Sequence, residues 1–431
     1  MLTLHGVAKD GSSVETSRIQ RAFDEAAEKG EPLLVPAGVY RTGTLRLRSG
    51  LHLVLGEGAR LVGSEEISDY VLDETHSVCT LKHYLLWGKE VSDVTISGPG
   101  VLEGSGPAFW QKEYFCGKPF GDPEVKLGPE TYNVLKPKDD RPVMIYCESC
   151  RNLTFEEFGM KDSPAYTLWL LGCENAVIRN LKVRNPLYGP NTDVLDIDCS
   201  RRVRISGCDF VAGDDCIALK SDCFRLGRMA ACEDVVAENC RFKTATCGIR
   251  VGYEGDGPIR NCVFRDLDIR DTRHGIDMLS LVPGKLPFTE ILRGTPIENI
   301  VFERITMTNT ANPFWIWAGN VPGATGYDAG IRDILFRDIR AESLVGSFIG
   351  SSERIAVENL RFENVSIVQK KPPVADGVPE LPSHWGANRL RAALEMLRVR
   401  NLAFRSCRIS VPEGTTKWTG SEAGFSAEPE L

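Results

Sequence analysis

The sequence predicts an all-β solenoid: a parallel β-helix whose short strands stack coil upon coil, closed at the N-terminal end by one helix. Three observations predict it. From about residue 150, units of one design recur at intervals of roughly 22–35 residues, the range of supersecondary repeats. Within each unit apolar and polar residues alternate, which is the periodicity of a strand. Between units stand Gly, Asn, Asp, Ser and Pro, not helix-forming stretches.

The helix comes first. Over residues 14–29, Ile19, Ala22, Phe23 and Ala26 form an apolar stripe at i, i+3, i+4 and i+7, and Gly30 follows as a C-cap. A helix this short and early suits a cap, about residues 1–30, over the open end of a repetitive sheet. Then the texture changes to strand-like runs, L-L-V-P-A-G-V-Y, T-L-R-L, L-H-L-V-L and V-T-I-S-G-P-G-V-L-E-G.

The repeat proper includes R-N-L-T-F-E-E-F-G-M, E-N-A-V-I-R-N-L-K-V, R-R-V-R-I-S-G-C-D-F and E-D-V-V-A-E-N-C-R-F. It continues with I-R-N-C-V-F-R-D-L-D-I, E-N-I-V-F-E-R-I-T-M, R-D-I-L-F-R-D-I-R-A, E-N-L-R-F-E-N-V-S-I and R-N-L-A-F-R-S-C-R-I. Each is a polar pair, an alternating strand, a polar corner and a second strand. A β-sandwich shares the alternation but does not account for a repeat running from about 150 to 410. The expected domain is therefore residues 1–411. Insertions at about 105–141, 280–296 and 370–391 should project from the coils as loops, and the aliphatic-poor tail 412–431 should be loosely held.

Composition narrows the function. The 431-residue chain has a formal net charge of −8, which argues against nucleic acid as a partner. No apolar run approaches the length of a membrane span, so no membrane partner is expected. The N-terminus M-L-T-L-H-G-V-A-K-D-G has neither a basic region nor an apolar run, so the expected location is cytoplasmic; a secreted form that had lost its leader would read the same way. The 14 cysteines are then expected as reduced thiols. Many of them, Cys173, Cys199, Cys208, Cys240, Cys262 and Cys407 included, read as small buried apolar residues in strands. Cys147 and Cys150 form C-E-S-C, a spacing that suits half a zinc site or a redox pair, but no second such motif completes it.

The chemistry concentrates between Asn191 and Ser221. Asp193 opens one strand-like run and the pair Asp214–Asp215 opens the next, 21 residues on. Strands stacked in parallel lie about 4.8 Å apart, so these carboxylates would be neighbours. One carboxyl held protonated beside one held ionised is what cleavage of a glycosidic bond requires. The rival reading is structural, because Asp and Asn also favour corners for their local backbone bonds and tolerance of αL.

N-T-D at 191–193 followed by D-I-D, and G-D-D-C-I-A-L-K-S at 213–221, resemble the polygalacturonase family, glycoside hydrolase family 28, as a divergent member. A-G-V-Y at 37–40, L-E-G-S-G at 102–106 with Trp110, and D-S-P-A-Y-T-L-W-L-L-G-C-E-N at 162–175 extend the resemblance over most of the chain up to about residue 370. It implies a single-stranded right-handed parallel β-helix of the pectin-lyase-like kind. It also implies an inverting glycosidase without metal or cofactor, acting on an oligosaccharide or polysaccharide. Carried over, Asp214 is the general acid, Asp193 and Asp215 hold the attacking water, and Asn191 orients its neighbours. Lys220, in the same run, joins the substrate-binding set.

The departures are as informative. Where the family has a Gly-His-Gly histidine, this chain has Cys247, in T-C-G-I-R-V-G. Where it has an Arg-Ile-Lys clamp for a uronate carboxylate, this chain has Asp277 and Leu279, and Val194 replaces the glycine after N-T-D. An acid in the clamp should repel a uronate. Arg250 or Arg273 is then a candidate substitute cation, and His274 a candidate substitute imidazole. Trp315 and Trp317, spaced to share one strand face, are candidate sugar platforms, as are Trp385 and Tyr253 near loops. The expected function is exo-acting hydrolysis of a pectin-type bond, galacturonide or rhamnoside. A β-helix lyase or epimerase, and an inactive carbohydrate-binding relative, stay open beside it. Oligomeric state is not readable.

Overall fold

The computed structural model describes residues 1–76, 81–282, 284–285, 290–291, 293–320, 329–353, 355–372 and 390–425. It divides into two compact units, residues 1–126 with 133–215, and residues 127–132 with 216–431. Each is built from the same coil.

In unit 1 two short strands, Leu2–Thr3 and Asp10–Val14, precede a helix at Thr16–Lys29, with Gly30 in αL (φ 63°) donating to the carbonyls of Ala26 and Ala27. Ile19, Phe23 and Ala26 are fully buried, while Ala22 is half-buried. On one face of the following coils, Leu45–Arg46, His83–Lys89, Pro142–Glu148, Leu168–Leu171 and Leu195–Asp198 pair in parallel in that order. On another, Ser92–Ser97, Arg151–Glu156, Glu174–Arg179 and Arg201–Ser206 do the same. Residues 105–141 interrupt the run of parallel strands. They carry a hairpin in which Trp110–Tyr114 pairs antiparallel with Leu135–Pro137.

In unit 2 the coils lengthen into the strands Cys232–Thr244, Ile259–Arg270, Pro296–Thr310, Gly330–Ser343 and Val357–Gln369, all parallel. A second sheet runs through Ile217–Ser221, Cys247–Gly255, His274–Val282, Asn312–Asn320, Ser347–Ser351, Leu394–Leu397 and Trp418–Ser421. The last of these corrects the expectation of a loose tail: Trp418–Ser421 continues the sheet, and Leu402 bridges Phe425.

The second residue of each polar pair explains the repeat. Asn152, Asn175, Arg202, Asp234, Asn261, Asn299, Asp333, Asn359 and Asn401 all have φ between 50° and 59°. The chain turns there in αL, where Asn and Asp are tolerated best. Their side chains then bond coil to coil: Asn299 to Asn261 at 2.7 Å, Asn359 to Asp333 at 2.9 Å and Asn401 to Asn359 at 2.7 Å.

The residue before each corner alternates in sign along the chain, Arg151, Glu174, Arg201, Glu233, Arg260, Glu298, Arg332, Glu358 and Arg400. Arg201 meets Glu174 at 2.9 Å in unit 1; in unit 2 Arg260 meets Glu233 at 2.8 Å, Arg332 meets Glu298, and Arg400 meets Glu358 at 2.9 Å. Exposed pairs contribute about 0–1 kcal/mol each. Their larger effect is on register, since a slip of one coil would stack like charges. Inside, Phe264, Phe302, Phe336, Phe362 and Phe404 stack at ring separations of 5.1, 5.2, 4.6 and 4.9 Å. Most cysteines pack as expected: eleven of the described thiols are buried, Cys407 is partly so, and Cys116 is exposed.

Core and ladder should therefore respond differently to truncation. Phe336→Ala is expected to cost about 3–5 kcal/mol, the range for a buried aromatic, and Arg332→Ala at most about 1 kcal/mol. Urea melts of both variants check this; equal losses would refute the greater weight given to the aromatic stack.

Candidate active site and its neighbours

In unit 1, carboxylate oxygens of Asp193, Asp214 and Asp215 lie within 4.8 Å of one another. The backbone sets this up. Val194 N–H donates to the Asp215 carbonyl at 2.8 Å, and Thr167 N–H donates to the Asp193 carbonyl at 2.8 Å, so Asp193 and the adjacent pair Asp214–Asp215 fall at matching turns of successive coils. Thr192 Oγ1 accepts from Gly213 N–H at 2.9 Å and donates to the Gly189 carbonyl at 3.1 Å, tying the two acidic turns together. Gly213 has no room for a side chain: a Cβ there would lie 2.2 Å from the Gly189 oxygen and 2.8 Å from Thr192 Oγ1. Asp193 and Asp215 are buried, and Asp214 is half-buried.

Sequence reasoning missed the parts that hold this corner. Arg141, at the end of the 105–141 insertion, donates through Nη2 to Asn191 Oδ1 at 2.6 Å and through Nη1 to the carbonyls of Pro190 at 2.7 Å and Pro164 at 3.2 Å. Asn191 itself has φ 50°. Asn185 donates to Thr167 Oγ1 at 2.9 Å and to the Thr192 carbonyl at 3.2 Å. Neither residue stands in a motif, and Arg141 is 50 residues from its partner.

A second group of unit 1 was not foreseen. Glu148 accepts from Lys89 at 2.8 Å and from Tyr146 at 2.9 Å, and pairs with His76 at 2.9 Å. Tyr84 donates to Asp73 at 3.1 Å. Asp73, His76 and Glu148 present donor atoms within 4.8 Å of one another, as a metal site would. Glu148 is, however, already engaged by Lys89, Tyr146 and His76. Burial alone would raise its pKa, but those three hydrogen bonds outweigh burial and hold the carboxyl down at about 2.

In unit 2 the expected substrate-binding residues are mostly enclosed. Lys220 is buried and 3.4 Å from Glu254. Trp315 is fully buried and Trp317 nearly so, packed with Leu279, Leu281, Ile291, Phe348 and Leu390. Neither tryptophan offers an open ring face, which corrects the reading of them as platforms. Their spacing puts both on one face of the strand, and Ile291 and Leu390, from the insertions at 280–296 and 370–391, pack against that face. Trp385 lies outside the described residues.

His274 is buried and stacks on Trp315, ring centroids 5.5 Å apart. It pairs in register with Cys247, beside the position where an imidazole was missing. Its Nδ1 hydrogen-bonds to Asp277 Oδ2, while Nε2 is buried without a hydrogen-bond partner. Burial lowers its pKa against the opposing pull of Asp277. Asp277 is 0% exposed, with Arg250 Nη1 3.2 Å from Oδ1 and Cys247 Sγ 3.6 Å from Oδ2. The Asp277 carboxylate faces a guanidinium and an imidazole rather than solvent. Arg250, 15% exposed, does keep contact with solvent. Cys247, His274 and Asp277 also bring thiol, imidazole and carboxylate within 4.8 Å, a set zinc accepts, but Arg250 and His274 already compensate the carboxylate.

A parallel β-helix that brings three carboxylates to one corner of consecutive coils belongs to the class of solenoids built for acid–base chemistry. Comparison with known proteins narrows the class. Residues 27–379 match the family described as Glycosyl hydrolases family 28, and the chain belongs to that family. A probable polygalacturonase of Vitis vinifera is 26% identical over 360 residues, 79% of this chain and 68% of its own length. The polygalacturonase of Juniperus ashei is 24% identical, over 71% of this chain and 56% of its own. The exopolygalacturonase of Zea mays is 20% identical, over 80% and 76%. Among solved structures, the hyperthermoactive exopolygalacturonase of Thermotoga maritima superposes with TM-score 0.70 at 20% identity, covering 94% of this chain and 91% of that one. The Yersinia enterocolitica family 28 exopolygalacturonase follows at 0.67 and 16%, covering 99% and 78%. The fold is the right-handed parallel β-helix of these neighbours.

Two predictions follow from the unit 1 geometry. Gly213→Ala should disable the carboxylate corner, with activity lost by about 100-fold or more and a lowered melting temperature; an active, stable variant would show that the turn can relax. For Glu148, the depressed pKa means stability present above its ordinary value of 4.5 and lost as pH falls from there toward about 2. Urea midpoints of the parent and Glu148→Gln should differ at pH 7 and converge near pH 2; a constant gap would refute the linkage.

Proposed function

We propose that this glycosidase hydrolyses a pectin-type glycosidic bond, acting from a chain end of a galacturonide or rhamnoside oligosaccharide. The observation that carries the reading is the three-carboxylate corner of Asp193, Asp214 and Asp215. Asp214, the most exposed of the three, protonates the glycosidic oxygen as the bond to the anomeric carbon breaks. Asp193 and Asp215, more buried, hold the attacking water and take its proton. A general acid of this kind contributes on the order of 10²–10⁴-fold. Relatives with printed names such as exopolygalacturonase support the pectic substrate and the exo action. These carboxylates are closer together than the ~6.5–9.5 Å of the usual inverting pair. Inversion here therefore requires the water to be held beside the acid, between Asp193 and Asp215.

The test is hydrolysis of pectic oligosaccharides by the parent and by Asp214→Asn. Monosaccharide should be released from one end, inverted at the anomeric carbon when read by NMR in the first minutes, and the variant should be slower by about 10²–10⁴-fold. Equal rates would remove Asp214 as the acid. An unsaturated, ultraviolet-absorbing product would instead identify a lyase.

A further inference from the structure

The C-E-S-C motif plays no part in the cleavage step, yet the fold of unit 1 completes it. Its two thiols, Cys147 and Cys150, gain a third from the next coil. Arg151 pairs in register with Glu174, and Glu174 N–H donates to the Cys150 carbonyl at 2.9 Å. Cys150 and Cys173, which precede these two residues, are therefore direct neighbours across two coils. The Cys150 thiol is in hydrogen-bond contact with the thiols of both Cys147 and Cys173. All three side chains are buried.

Thiols stacked one above another could simply fill the core as small apolar groups. The following coil argues against that. Glu174 pairs with Arg201, so Ser200 stands at the point equivalent to Cys150 and Cys173. Its Oγ donates to the carbonyls of Asp198 at 2.9 Å and Leu170 at 3.0 Å. Cys173 Sγ repeats the pattern with Leu171 at 3.6 Å and Cys147 at 3.3 Å, and Cys150 Sγ donates to the Glu148 carbonyl at 3.3 Å. The position calls for a short donor, and a thiol is a weaker one than a hydroxyl. What two adjacent sulfurs add is the capacity to join. Neighbouring strands lie about 4.8 Å apart, within the roughly 4.4–6.8 Å between Cα atoms that a disulfide spans. A bond from Cys147 to Cys150 would stay within one coil and connect nothing.

We propose that Cys150 and Cys173 are a covalent modification site, joined across two coils by exchange with a low-molecular-weight disulfide such as oxidised glutathione. One protein thiolate attacks the small disulfide and releases a thiol; the second attacks the mixed disulfide and releases the other. The two protein sulfurs give up two electrons and two protons, and glutathione takes up both. Burial is the largest influence on Cys173 and raises its pKa well above the ordinary thiol value. Because the thiolate is the attacking species, the bond forms while the coils assemble and not in the closed fold. It fastens the coil whose strand Leu168–Leu171 pairs with Leu195–Asp198, the strand that follows Asp193. The cross-link thus supports the catalytic turn from one coil away without touching it.

The test unfolds the full chain in urea with reductant and refolds it in a mixture of reduced and oxidised glutathione, or in reduced glutathione alone. Peptide mass spectrometry without reduction should find Cys150 joined to Cys173 in the first sample, two hydrogens lighter than the separate peptides, and free thiols in the second. Oxidised glutathione added to the folded, reduced protein should give little cross-link in the same time. The joined form should melt a few degrees higher than the reduced form, and reductant present during unfolding should erase the difference. Ser200 shows that a hydroxyl fits this point of the coil, so Cys150→Ser and Cys173→Ser should fold, with neither cross-link nor redox-dependent melting. Cys147→Ser should keep both. Protein expressed in the bacterial periplasm and in the cytosol gives the same comparison without depending on refolding yield. Free Cys150 and Cys173 in the oxidising samples, or a Cys147–Cys150 bond in their place, would overturn the site. A Cys150–Cys173 bond that leaves the melting temperature unchanged would overturn its role as a fastening.

Discussion

The constraint on which the fold depends is that every coil must turn at the same point. A parallel stack keeps its hydrogen bonds only if each coil has the cross-section of the one before. The αL corner enforces this. Asn and Asp reach αL at low cost, and their side chains are short enough to bond the equivalent residue one coil away, as Asn299 does with Asn261. Once the corners are aligned, inward positions must stack like on like, which is why the phenylalanines from Phe264 to Phe404 form one column. Outward positions are free to differ, and there the signs of charge alternate.

The carboxylate corner reverses that outward rule. Elsewhere within a unit a glutamate stacks on an arginine; at Asp193, Asp214 and Asp215, acid stacks on acid. Like charges this close repel, and stability alone would not select the arrangement. The local backbone is correspondingly over-determined, with Gly213 wedged against Gly189 and Thr192, and Asn191 pinned by Arg141. Rigid support around an unfavourable cluster is what a group poised for proton transfer requires.

Much of this was legible because it is local and periodic. The cap helix, the alternating strands and the residue types at the corners follow from spacings of two to four residues and from αL chemistry. The acidic triplet was legible because one coil is about as long as the gap between Asp193 and Asp214. What escaped depends on partners far away in sequence. Arg141 reaches Asn191 from an insertion with no pattern. Trp315 and Trp317 share one strand face, as their spacing implies, but the alternation of a strand says nothing about a loop that comes to lie over it. Trp418–Ser421 is a strand with little aliphatic content, so composition alone reads it as tail.

Asp277 shows how stacking changes the meaning of a substitution. Taken by itself, an acid in place of a basic clamp reverses the local charge. In register, position 277 lies directly opposite position 250 of the preceding coil in unit 2. If both were arginine, two buried like charges would face each other across about one strand spacing, a costly arrangement in a medium of low dielectric. Arg250 and Asp277 therefore form one unit of sequence, in which the acid stabilises the base and aims it. Arginine at 250 requires something other than arginine at 277, and an acid there holds it best.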